Sequence, residues 1–112
     1  MHPRRKTTMV QVFDGAAFRA AMQEKKTLVV DFYADWCGPC RMLSPVMEKL
    51  SSLYEGQAEF VKINVDDNPD LAREYGIMSI PCVMVFKDGA LAGKNVGFVP
   101  QSAMQEFIQK YL

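Results

Sequence analysis

The sequence predicts an α/β domain in which helices cover both sides of a mixed β-sheet. Three observations carry this reading. Residues 27–34 (TLVVDFYA) are almost all apolar, as expected of a strand buried on both faces. Residues 41–54 then place Leu43, Val46, Met47, Leu50, Leu53 and Tyr54 at a helical period. Asp88-Gly89 between two apolar segments is the signature of a two-residue hairpin.

Taken in order, residues 9–13 alternate enough to form a first strand, and Asp14 can cap a helix over residues 16–24. The strand over 27–34 leads into the helix over 41–54. Pro45 lies inside that helix and should kink it, since proline removes one backbone bond. Residues 60–65 read as the next strand. Asn68-Pro69-Asp70 supplies a cap, a proline at the first helical position and an acid in the first turn, and Gly76 ends that short helix. Residues 82–86 and 90–96 flank the hairpin turn. Pro100 opens a last helix with Ala103, Met104, Phe107, Ile108 and Tyr111 on one face. The resulting order is βαβαβαββα, which gives a mixed sheet between helices. The eight methionines are expected to fill the core, mostly from helix faces.

A chain of 112 residues can bury a real core without covalent staples. Thirteen basic and thirteen acidic side chains cancel, so charge makes no case for nucleic acid or an anionic membrane. The first eight residues are polar and basic (His2, Arg4, Arg5, Lys6) and lack the apolar stretch of a signal peptide. They are expected to be a solvated leader before a domain at 9–112, and no run approaches the ~18 apolar residues of a membrane span. Three cysteines make a poor disulfide framework, which needs pairs. A reducing cytoplasm is the expected compartment.

The chemistry concentrates in Trp36-Cys37-Gly38-Pro39-Cys40. Two thiols three positions apart, at a strand-to-helix junction, can close a reversible disulfide. Cys37 falls where the helix begins, so free amides and the positive end of the helix dipole favour its thiolate, the form that attacks disulfides. Cys40 lies one turn later on the same face, and Pro39 stiffens the link. Cys37 is therefore the expected exposed nucleophile and Cys40 the buried, resolving thiol. The other use of such a pair is half a zinc site. That needs two more ligands, and the only histidine is His2; Cys82 could add a third sulfur.

Three further positions bear on this pair. Asp31 interrupts the apolar strand six residues before Cys37; it is either buried with a raised pKa or at an edge facing water. Buried behind the thiols, it could take the Cys40 proton. Lys62 could pair with Asp31 if their strands are neighbours, or else snorkel to solvent. Ile80-Pro81 precedes a strand, and a trans bond is the default because only about 5–6% of X–Pro bonds are cis.

At these residues the chain resembles the thioredoxin family over residues 10–112. VVDFYADWCGPCRMLSP, VKINVDDNPDLAREYGI, SIPCVMVFKDG and the NVG of residues 95–97 match its motifs in order and spacing. The Gly38-Pro39 pair resembles the reducing branch of that family. The resemblance implies a central five-stranded mixed sheet flanked by four helices. It implies Cys37 as nucleophile, Cys40 as resolving thiol, Asp31 as buried proton acceptor with Lys62 nearby, and Pro81 as a cis proline facing the sulfurs. Trp36, Gly38, Pro39, Ile80, Pro81 and Gly97 would form a shallow substrate groove. The implied activity is protein-disulfide reduction by a monomer that binds no cofactor and no metal. Disulfide-containing proteins would be its substrates and an NADPH-dependent flavoprotein thioredoxin reductase its partner.

Three departures stand out. Tyr33 occupies a position where many relatives carry a second tryptophan, a change expected to affect packing and fluorescence more than chemistry. Met78-Ser79 replaces a basic residue and glycine, which places an apolar side chain by the groove. Cys82 stands where threonine is usual, either as a small buried residue or as a third thiol within reach of the pair. Two other classes of function stay open at this point: a binding scaffold without turnover, and a metal or cluster site built from Cys37, Cys40 and Cys82.

Overall fold

The structure, a computed structural model, describes residues 10–112. The expected leader at residues 1–8 and Met9 of the expected first strand lie outside the described residues. In chain order the elements are β1 (Gln11–Val12), α1 (Gly15–Gln23), β2 (Leu28–Tyr33), α2 (Gly38–Leu53) and β3 (Glu59–Asn64). They continue with α3 (Pro69–Glu74), β4 (Cys82–Lys87), β5 (Ala90–Val96) and α4 (Gln101–Gln109).

Strand β2 lies at the centre of the sheet, whose order is β1-β3-β2-β4-β5. It pairs parallel with β3 and antiparallel with β4, so the sheet is mixed. Because side chains alternate along a strand, β2 supplies both cores at once. Leu28, Val30 and Phe32 join Phe18, Ile63, Leu71 and Phe86 under α1 and α3. Val29 joins Leu43, Met47, Leu50, Val85 and Met104 under α2 and α4.

Local signals place the element ends. The Asp14 carboxylate accepts a hydrogen bond from the Ala17 amide at 2.8 Å, which starts α1. The β4–β5 hairpin closes from Lys87 to Ala90. Asp88 and Gly89 both have positive φ there, 53° and 81°, as a turn matched to strand twist requires. Helix α2 begins at Gly38, three residues before the amphipathic stretch, because Cys37 takes the cap position and Pro39 sits where no amide is needed. Pro45 lies within α2 and removes the amide that would have bonded the Arg41 carbonyl.

Two expectations are corrected. Asn68 occupies the cap position of α3 but makes no side-chain cap bond. Its side chain instead accepts from the Gly15 amide (3.2 Å) and donates to the Asn64 carbonyl (3.0 Å), tying α1 to the end of β3. The methionines are also not uniformly core. Met47, Met84 and Met104 are buried, whereas Met42, off the apolar face of α2, and Met78, in the loop before β4, are exposed.

Candidate active site

The carboxyl end of β2 delivers the chain through Ala34-Asp35-Trp36 to the start of α2. The Cys37 amide donates to the Ala34 carbonyl at 3.2 Å, which turns the backbone into the helix. Cys37 has extended backbone angles (φ −89°, ψ 111°), and its Sγ accepts from the Cys40 amide at 3.2 Å. A cysteine thus performs the role usually taken by a serine or aspartate. The cap geometry that would stabilise an oxygen anion stabilises a thiolate.

Cys37 and Cys40 are joined as a disulfide, with Cα atoms 5.2 Å apart. Both residues are only 4% exposed, so burial does not separate an exposed from a buried thiol as the spacing suggested. The reason is packing: Ala34, Tyr33, Val65 and Ile80 enclose the pair. What distinguishes the two is the amide at Cys37 Sγ and the cavity at Cys40.

That cavity has a volume of about 150 Å³ and runs from Cys40, Arg41 and Ser44 to Asp31, Tyr33 and Lys62. It is roomy enough for water and polar enough to hold it. Asp31 is 3% exposed, and its Oδ1 has no hydrogen-bond partner. Burial pushes its pKa up from 3.8 to about 7, with the Lys62 charge opposing part of the rise. Of the two expected environments for Asp31, the buried one is found. Strands β2 and β3 are indeed neighbours and Lys62 is the register partner of Asp31. Yet among the described residues no ion pair joins them. Lys62 Nζ stands over the Tyr33 ring, 5.2 Å from its centroid.

The Ile80-Pro81 bond is cis, against the base rate and in line with the resemblance. The Ile80 carbonyl lies 3.8 Å from Cys37 Sγ. The Pro81 carbonyl accepts from the Gly97 amide at 2.7 Å. Gly97 has φ +93°, a backbone that side chains rarely tolerate, so glycine is required where this loop closes on the proline. Trp36 is 69% exposed beside the pair, and its indole N–H donates to Asp66 at 2.8 Å. Together with Val65, Ile77, Met78 and Ile80 it borders an open depression of about 400 Å³.

Cys82 does not join the pair. It packs among Phe18, Phe32, Met84 and Phe86 on the α1/α3 side of the sheet, whereas Cys37 and Cys40 belong to the α2 side. Burial raises its pKa above the usual thiol value, which favours the protonated form over the attacking thiolate. Among the described residues, no group of three or more His, Cys, Asp or Glu side chains could hold a metal ion.

The sequence reading missed several residues that shape the site. Buried Asn64 accepts from the Asp66 and Asp67 amides (2.8 and 3.3 Å), which presents Asp66 to Trp36. An Asn at a strand end before Asp-Asp was the available signal, as it favours such a turn. Arg41 donates to the Asp35 carbonyl at 2.7 Å and fixes the loop before Trp36.

A cysteine pair that closes a disulfide at a helix start has the arrangement of a thiol–disulfide exchange centre. Comparison with known proteins places it further. The thioredoxin family model matches residues 9–110. A thioredoxin of Porphyra purpurea is 44% identical over 91% of this chain and 95% of its own length. One of Staphylococcus aureus is 48% identical over 80% of this chain and 86% of its own. A solved Plasmodium falciparum thioredoxin superposes with a TM-score of 0.85 at 31% identity, covering 92% of this chain and 100% of that one. The chain belongs to the thioredoxin family. It is a thiol–disulfide oxidoreductase that works by dithiol–disulfide exchange at Cys37 and Cys40. Membership implies disulfide-containing substrates and a reductase that restores the dithiol.

Proposed function

We propose the following division of labour in that exchange. The Cys37 thiolate attacks a substrate disulfide. The substrate S–S bond breaks, a Cys37–substrate disulfide forms, and one substrate sulfur leaves as a thiolate that takes up a proton. Cys40 then gives its proton to the Asp31 carboxylate through water in the cavity, and its thiolate attacks Cys37 Sγ. The second substrate sulfur departs, leaving Cys37–Cys40 oxidised and the substrate reduced by two electrons. The observation that carries this reading is the unpartnered Asp31 carboxyl on the wall of a cavity that also reaches Cys40. A pKa of about 7 keeps a useful fraction of it ionised near neutral pH, ready to accept.

Lys62 tunes Asp31 through its charge. The substrate lies extended beside Pro81, pairs with backbone there, and rests on Trp36, Gly38, Pro39, Ile80 and Gly97. Met78, 94% exposed next to this surface, supports permissive apolar contact with partners. An NADPH-dependent flavoprotein reductase returns the disulfide to the dithiol, so the chain serves as an electron carrier without a cofactor of its own. The compartment that fits such a reductant is a reducing cytoplasm.

Single-turnover kinetics with a protein disulfide test the division. Cys40→Ser should stall at a covalent Cys37–substrate adduct, visible by mass spectrometry. Asp31→Asn should slow the second step and leave the first nearly unchanged. A Cys40→Ser variant linked through another residue, or an Asp31→Asn variant resolving at the native rate, would overturn the assignment.

A further inference from the structure

Two opposite charges share the cavity behind Cys40, yet they do not meet. Asp31 and Lys62 are register partners on the same sheet face, and both line the cavity. In a buried site, a carboxylate with no hydrogen-bond partner and an adjacent ammonium would ordinarily close into an ion pair. Here the ammonium is over the Tyr33 ring instead, 5.2 Å from the centroid. The ring face carries negative charge density and attracts a cation. Tyr33 is the register partner of Asn64 on β3, so its backbone is held by the sheet.

We propose that Tyr33 is a positioning residue for the resolving step: its ring holds the Lys62 ammonium off Asp31, which stays free to take the Cys40 proton. This rests on the role of Asp31 proposed above. A direct ion pair would do harm, because it would hold the carboxyl ionised and weakly basic. At its observed place Lys62 still lowers the carboxyl's proton affinity, but less than burial raises it.

The other charged groups around Asp31 do not replace Lys62. Arg41 on α2 lines the cavity but is committed to the Asp35 carbonyl. Asp35 and Asp67 are acids that add to the rise burial causes in the Tyr33 pKa, and Cys82 on β4 belongs to the other side of the sheet. Lys62 is therefore the cation able to reach Asp31 when the ring is removed. The exchange of tryptophan for tyrosine at position 33, read from sequence as a packing change, touches the proton path.

The test follows the Asp31 carboxyl by ¹³C NMR across pH in the intact oxidised protein. Tyr33→Leu is expected to lower its titration midpoint by about one pH unit, a roughly tenfold loss of proton affinity. Tyr33→Phe keeps the ring and should stay within about 0.3 of the native midpoint. In a Lys62→Met background, Tyr33→Leu should have no effect on the midpoint. Tyr33→Met takes the place of Tyr33→Leu if thermal unfolding shows the latter misfolded. A midpoint that Tyr33→Leu leaves unchanged or raises, or a fall that persists without Lys62, would overturn the proposal. Resolution rates of Asp31→Asn, measured alongside, keep the two ideas apart. A native rate there sinks the proton-acceptor role, while the titration still decides whether Tyr33 holds Lys62.

Discussion

On the α1/α3 side of the sheet, β2 presents Leu28, Val30 and Phe32 to a core closed by edge-to-face contacts among Phe18, Tyr75 and Phe86. On the α2 side the same strand presents Val29, Asp31 and Tyr33, and the packing stops short of Asp31 to leave a cavity of about 150 Å³. Each side also buries cysteine. Cys82 sits among aromatic rings with its proton held on, whereas Cys37 meets a helix amide and Cys40 a cavity that reaches a carboxyl. Reactivity in this molecule therefore follows from what surrounds a sulfur, and burial alone does not confer or remove it.

Substitutions can break this contrast, and the largest effect is on turnover. Cys37→Ser should reduce protein-disulfide reduction on the order of 10³-fold or more, since a hydroxyl cannot replace the thiolate. Cys82→Ser should stay within about twofold in the same assay, because its side chain is no part of the exchange. A large loss in Cys82→Ser would erase the difference between the two sides.

Stability should separate the sides next. Phe32→Ala empties part of a closed core and should cost about 3–5 kcal/mol in urea unfolding. Asp31→Asn should act in the opposite sense, with a pH dependence. The Asp31 carboxyl titrates near 7 in the folded chain and near 3.8 unfolded, so between those values folding retains a proton that unfolding releases. Native stability is then intact at pH 4 and declines as pH rises through 7. The advantage of Asp31→Asn over the native protein should grow by roughly 4 kcal/mol from pH 4 to pH 8. A pH-independent difference would contradict the burial effect assigned to that carboxyl. The smallest effect belongs to the rim: Asp66→Ala removes an exposed hydrogen bond to Trp36 and should cost about 1 kcal/mol, with a change in Trp36 fluorescence.

Much of this was legible in the residues. The apolar run of β2, the period of α2 and the Asp-Gly turn each encode their element locally, and all three are found where expected. The Cys37–Cys40 pair was legible for the same reason, since spacing alone places both thiols on one helical turn. Contacts between distant segments were not. The Asn68 bridge to Gly15, the Asn64 turn that presents Asp66, and the Lys62–Tyr33 contact depend on which strands become neighbours. The side of the sheet that Cys82 faces depends on strand register, which a sequence shows only once the pairing is known. Equal burial of Cys37 and Cys40 arises from Ile80 and Val65, both remote in sequence.

A redox titration of the Cys37–Cys40 couple against a defined thiol–disulfide buffer, with Cys82→Ala alongside and Trp36 as reporter, addresses the central claim. One reversible two-electron transition is expected in both proteins, close to the reducing value of about −270 mV already known for thioredoxin and taken here as the reference. No reversible transition, a potential some 100 mV or more higher, or a curve displaced by Cys82→Ala would contradict a reductase built on that pair alone.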